Sequence, residues 1–156
     1  MNLLLSSSVL LCLFACSAPA AAELRLSAPL DYQVFQRSAA DAGKILVEGE
    51  LPAGVVGPAV VEVQFGGAGI ATSWRRLTTV AAGQSNFRAE LESPAGGWYR
   101  LDVRVTRGQE VLAETNVTHV GVGEVFVVAG QSNSANHGEE KQKPVSDLVV
   151  AFSGKR

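Results

Sequence analysis

The chain has 156 residues, with 13 Lys and Arg against 15 Asp and Glu and a formal net charge of −2. That balance offers no electrostatic footprint for a polyanion, so nucleic acid is set aside as a partner. Only two cysteines and two histidines are present. A zinc centre wants three or four protein ligands, so neither a metal nor another cofactor is expected.

Residues 1–22 carry no charged side chain, and the largely apolar run 3–15 is too short to span a bilayer but suits the h-region of a signal peptide. An exported product is expected: periplasmic, extracellular, or lipid-anchored at the cell envelope. Two processing routes stay open. Ala20-Ala21-Ala22 offers small residues for cleavage before Glu23, whereas Leu13-Phe14-Ala15-Cys16 resembles a bacterial lipobox in which Cys16 is lipidated, the one expected route to a membrane. Both cysteines, Cys12 and Cys16, fall in this segment. The rest of the chain has no thiol, and packing alone must stabilise it.

Residues 23–121 read as one β-sandwich domain. Apolar and polar residues alternate with the strand period of two at Ala59, Val61, Val63 and Phe65, at Phe87, Ala89 and Leu91, and at Tyr99, Leu101, Val103 and Val105. Further strands are expected over 24–28, 32–36, 44–51, 72–80 and 110–116. Between them lie turn-rich pieces such as Pro52-Ala53-Gly54, Gly66-Gly67-Ala68-Gly69 and Pro94-Ala95-Gly96-Gly97. Spacing and alternation suggest a mainly β chain of immunoglobulin-like style, although no Cys pair supports a true immunoglobulin domain.

At Gly121-Val122-Gly123 the texture changes. Residues 124–129, Glu-Val-Phe-Val-Val-Ala, are apolar on both faces after the first, as in a central strand of a parallel sheet covered by helices. Residues 148–152 form a second such run. Two strands and part of one connection leave a parallel sheet uncovered, so residues 122–156 are expected to be the truncated start of an α/β domain.

The pentapeptide Ala-Gly-Gln-Ser-Asn occurs at 82–86 and again at 129–133. The first copy lies between two alternating strands and reads as a hairpin loop with a solvated Ser85. The second leaves the C-terminal end of the expected buried strand, where α/β sheets place ligands and catalytic side chains. There Gly130 permits a tight turn, and Ser132 could project from it with backbone N–H groups free to receive an oxyanion. Ser132 serves equally well as the cap of a helix beginning near Ser134.

The block Gly123-Glu124-Val125-Phe126-Val127-Val128-Ala129-Gly130-Gln131-Ser132-Asn133 closely resembles the opening block of the SGNH-hydrolase superfamily, in the branch of sialate O-acetylesterases and related carbohydrate acetylesterases. The resemblance implies an SGNH-type α/β domain, an acetylated carbohydrate as substrate, and Ser132 as nucleophile with its own N–H as one oxyanion donor. Gly130, Gln131 and Asn133 take supporting roles in the motif. Ser134 stands where that family usually has Met.

A serine hydroxyl needs a base, and the base an orienting partner. The resemblance implies a histidine in a D-x-x-H block, and no such block follows Ser132: Val150 stands three residues after Asp147. His119 precedes the expected buried strand and reads as an interdomain or surface residue. His137, five positions after Ser132, would lie on another face of a helix and reads as loop packing or a substrate-facing group. Glu139 and Glu140 read as a solvated connection.

Trp98 falls on the polar side of its strand, and Trp74 stands beside Arg75-Arg76. Each could stack a sugar or pack at an interdomain interface. The Asn116-Val117-Thr118 sequon matters only in a eukaryotic secretory pathway. The expected function is thus the N-terminal part of a secreted carbohydrate acetylesterase, inactive as this fragment. The alternative is a non-catalytic secreted sandwich that binds a glycan or a protein.

Intact-mass analysis of the exported protein separates the two processing routes. Cleavage before Glu23 with no lipid mass is expected; an N-terminal Cys16 carrying a diacylglycerol-sized increment would reverse that assignment.

Overall fold

The computed structural model describes residues 22–131 and 143–152. The signal segment and its two cysteines lie outside the described residues, except Ala22, which already forms part of a strand. The described chain is mainly β, with ten strands and no helix among the described residues. The strands are β1 (Ala22–Glu23), β2 (Arg25–Ala28), β3 (Gln33–Gln36), β4 (Ala42–Glu50) and β5 (Ala59–Gly67), then β6 (Ile70–Ala71), β7 (Arg75–Val80), β8 (Asn86–Pro94), β9 (Trp98–Arg107) and β10 (Glu110–Gly123).

They form two sheets. The larger runs β1-β10-β9-β5-β6, with β3 added to β10 and β7 to β5, and the smaller runs β2-β4-β8. Alternation dictates which faces meet. Ala59, Val61, Val63 and Phe65 of β5, with Tyr99, Leu101, Val103 and Val105 of β9, turn inward from the larger sheet. Ile45 and Val47 of β4, with Phe87 and Leu91 of β8, meet them from the smaller one. Each fully buried side chain of this kind contributes about 1.5–3 kcal/mol relative to exposure. With no disulfide available, this layer holds the sheets together.

Four expectations need correction. Residues 82–86 do not close a hairpin, because β7 pairs with β5 in one sheet and β8 with β4 in the other. The segment is a crossover between sheets. It is fixed by Gly57 N–H donating to Gln84 O (3.0 Å) and Leu51 N–H to Ser85 O (2.7 Å). A Cβ on Gly57 would lie 2.0 Å from Ala81 O, so this close approach requires glycine.

The strand expected over 72–80 begins only at Arg75, because Thr72 closes the turn after β5: its N–H donates to Phe65 O at 2.9 Å. The strand expected over 110–116 continues to Gly123 instead, since Val120, Gly121, Val122 and Gly123 pair in parallel with Gln33, Val34, Phe35 and Gln36. Val122, expected to open the next domain, is 2 % exposed and belongs to the sandwich core.

Leu101 is fully buried between the sheets. Leu101→Ala is expected to lower unfolding stability by about 2–5 kcal/mol, measured by urea denaturation; a loss below about 1 kcal/mol would show that the two sheets do not share this core.

Candidate functional site

Beyond β10 the chain makes no further strand among the described residues. Residues 124–131 are irregular and exposed, with Phe126 80 %, Val127 91 % and Val128 75 % accessible. Residues 148–152 are likewise exposed and irregular. The two buried strands expected here are therefore not formed in this structure. A parallel strand needs a neighbouring ladder and helices on its faces, and no described residue provides either.

Gly130 and Gln131 lie exposed at the end of this segment. Ser132, Asn133, Ser134, His137, Glu139 and Glu140 lie outside the described residues. Nothing in the described geometry places a base or an oxyanion donor against Ser132.

The exit from the sandwich is tightly held. Arg37 Nε donates to Glu124 Oε1 at 2.6 Å and Gln36 Nε2 to Glu124 Oε2 at 2.9 Å. In return Val125 N–H donates to Gln36 Oε1 at 2.8 Å, and Arg37 N–H to Gly123 O at 2.8 Å. The hydrogen bond from Gln36, followed by that from Arg37, holds the Glu124 carboxyl below the usual carboxylate range.

Beside this exit stands a cluster of three rings that sequence reasoning did not assemble. Val117 faces Leu101 and Val120 faces Tyr99, so Thr118 and His119 together oppose Arg100. This is a β-bulge, a device that re-aims a side chain out of the regular alternation. His119 N–H donates to Asp31 Oδ1 at 2.8 Å, and its Nδ1 lies 3.2 Å from the same oxygen.

Tyr32, next to Asp31, has a φ of 62°, a left-handed conformation rare for an aromatic residue. It is held there by its N–H donating to His119 O at 2.7 Å and by Gln33 N–H donating to Leu30 O at 3.0 Å. The Tyr32 and His119 rings stack with centroids 4.1 Å apart and planes 10° apart. Trp98 meets Tyr32 edge-on at 5.4 Å and 80°.

The indole of Trp98 crosses Gly121, its cross-strand partner. A Cβ on Gly121 would lie 3.0 Å from the ring, so this glycine makes room for the tryptophan. The indole N–H donates to Asp147 O at 2.8 Å, joining the ring cluster to the segment after the motif. His119, expected as a surface or interdomain residue, is half-buried inside this cluster.

Trp98 and His119 border an open groove of about 480 Å³ on the outer face of the larger sheet, where Gln64, Ile70, Arg100 and Asp102 also contribute. Arg100 grips Asp102 Oδ1 through Nε at 2.9 Å and Nη2 at 2.6 Å, and that hydrogen bond raises the guanidinium pKa further. Trp74 lies apart from this groove, under the Arg104 guanidinium at 4.2 Å, and Arg104 also donates to Glu62 at 2.8 Å.

The first Ala-Gly-Gln-Ser-Asn copy contributes Gln84 and Asn86 to a separate, more polar groove of about 660 Å³ with Arg25, Glu48 and Arg88. Among the described residues no histidine lines it. Among the described residues no three His, Cys, Asp or Glu side chains come together as a metal site.

Glu124 has a depressed folded-state pKa, so its stabilising bonds are complete above the ordinary carboxylate range and are lost as pH falls through the folded value. An NMR titration should place the Glu124 midpoint below the usual carboxylate value, and Gln36→Ala should move it upward. A midpoint indifferent to Gln36→Ala would mean that the clamp does not form in solution.

No family model matches the chain, and no curated protein matches it.

Proposed function

We propose that this chain carries an immunoglobulin-like accessory sandwich and the nucleophile block of an exported serine esterase that removes acetyl groups from carbohydrates. The observation that carries the reading is the block 123–133, Gly-Glu-Val-Phe-Val-Val-Ala-Gly-Gln-Ser-Asn, set immediately after the last sandwich strand. Two exposed apolar runs, 125–128 and 148–152, support it, because side chains of that kind gain most when a further layer covers them.

In this mechanism Ser132 Oγ attacks the acetyl carbonyl carbon as a base removes its proton. The oxyanion is held in part by the Ser132 N–H, and collapse expels the sugar alkoxide, which takes the proton back from the base. Water then hydrolyses the acetyl-serine by the same route. The base belongs to a D-x-x-H block that these 156 residues do not contain. His119 is a poor substitute, because its Nε2 faces the Tyr32 hydroxyl at 3.5 Å.

Reading the coding DNA beyond the Arg156 codon for a D-x-x-H block, and assaying acetate release by the protein it encodes, tests the reading. Ser132→Ala should lower kcat by about 10⁴-fold or more, whereas Ser85→Ala in the first copy should leave it unchanged. The 156-residue chain alone should hydrolyse acetyl esters no faster than its Ser132→Ala variant. Full activity in Ser132→Ala would sink the assignment.

The second reading, a non-catalytic secreted sandwich that binds a glycan or a protein, is favoured by one observation: the rings of Tyr32, Trp98 and His119 beside the open groove.

A further inference from the structure

We propose that the groove bordered by Trp98 and His119 is a binding site for an uncharged pyranose sugar. This deepens the second reading by naming the site and its ligand, and it does not depend on Ser132.

Two local departures from regular structure converge on the same spot. The bulge at Thr118 and His119 breaks the alternation of β10, and Tyr32 occupies a left-handed backbone conformation. Each costs free energy that a plain sheet edge would not incur, and such features persist where surrounding contacts over-determine them. Here they bring Tyr32 and His119 from positions 87 residues apart into one stack. An aromatic ledge assembled at such cost, with Tyr32 still 48 % exposed, serves no core.

The remaining lining matches a polyol. A pyranose presents an apolar C–H face and a rim of hydroxyls, so it is recognised by an aromatic or aliphatic surface beside planar polar side chains that donate and accept in pairs. Trp98 and Ile70 supply the apolar part, and Gln64, Arg100 and Asp102 the planar polar part.

Charge selects among sugars. Arg100 is matched by Asp102 at 2.6 Å, so among the described residues the guanidinium lining the groove already carries its own counter-ion. A bound carboxylate would have to compete with Asp102 for the guanidinium. A neutral hydroxyl pair can instead accept from Arg100 and donate to Asp102 without breaking their bond.

The test is an NMR titration of the ¹⁵N-labelled protein with three probes: cellobiose and N,N′-diacetylchitobiose, which are neutral, and N-acetylneuraminic acid, which is anionic. With a neutral disaccharide, the Trp98 indole N–H and the Gly66 and His119 amides should shift saturably while the Trp74 indole stays fixed. The acid should leave all of them in place.

Trp98→Ala should abolish the shifts at His119. Gln64→Ala, on the outer face away from the core, should weaken binding roughly fivefold and keeps the test valid if the tryptophan variant misfolds. Asp102→Asn frees Arg100 and should strengthen binding of N-acetylneuraminic acid by about tenfold.

Saturable shifts at the Arg25 and Glu48 groove instead would overturn this site while leaving the second reading intact. No shift with either neutral sugar would overturn the site and count against a glycan-binding sandwich. Preference of the unmodified protein for the acid would overturn the neutral ligand. In none of these cases is the Ser132 assignment affected.

Discussion

Strand β10 is the constraint on which the rest of the molecule depends. Along 14 residues it pairs antiparallel with β9 and in parallel with β1 near its start and β3 near its end. It thereby joins the first described residues, the centre of the larger sheet and the exit toward the motif in a single ladder. A strand with partners on both edges has its register set twice. That is how a bulge can be tolerated at Thr118 and His119 without the ladder slipping, since Val120 resumes its place opposite Tyr99.

The core follows from that register. Because β9 lies between β10 and β5, its inward row of Tyr99, Leu101, Val103 and Val105 sits at the middle of the larger sheet and faces β4 and β8. Its outward row, Trp98, Arg100, Asp102 and Arg104, is left for the surface, where ion pairing with Glu62 and within the strand satisfies the charges. One strand thus builds the core with one set of side chains and the groove with the other, and the period of two is the physical reason it can do both.

Much of this was legible in the residues themselves. Alternation over β5, β8 and β9 identified the strands and their inward faces because burial on one side leaves a direct trace in composition. Pairing leaves none, so two alternating strands joined by Gly83-Gln84-Ser85 read as a hairpin although each pairs with a different sheet. Gly121-Val122-Gly123 read as a joint because glycine marks turns, yet Gly121 is there to admit the Trp98 ring.

The apolar run after Glu124 read as a buried strand, a property that depends on neighbours and not on the run alone. The ring cluster was only half legible: Trp98 was placed off the core by alternation, while Tyr32 and Asp31 come from a distant turn with no periodic signal.

The clamp at Arg37, Gln36 and Glu124 decides how far past the last strand the chain stays fixed to the sandwich. Gly123 is locked into the ladder with Gln36, and Val125 is tied by its own N–H, so the chain stays fastened to the sandwich two residues past its last strand. Beyond the motif, Asp147 is tethered to Trp98 on the same rim of the sandwich. The described stretches on either side of the motif, at Val125 and at Asp147, are therefore both fastened to the sandwich that holds the aromatic groove.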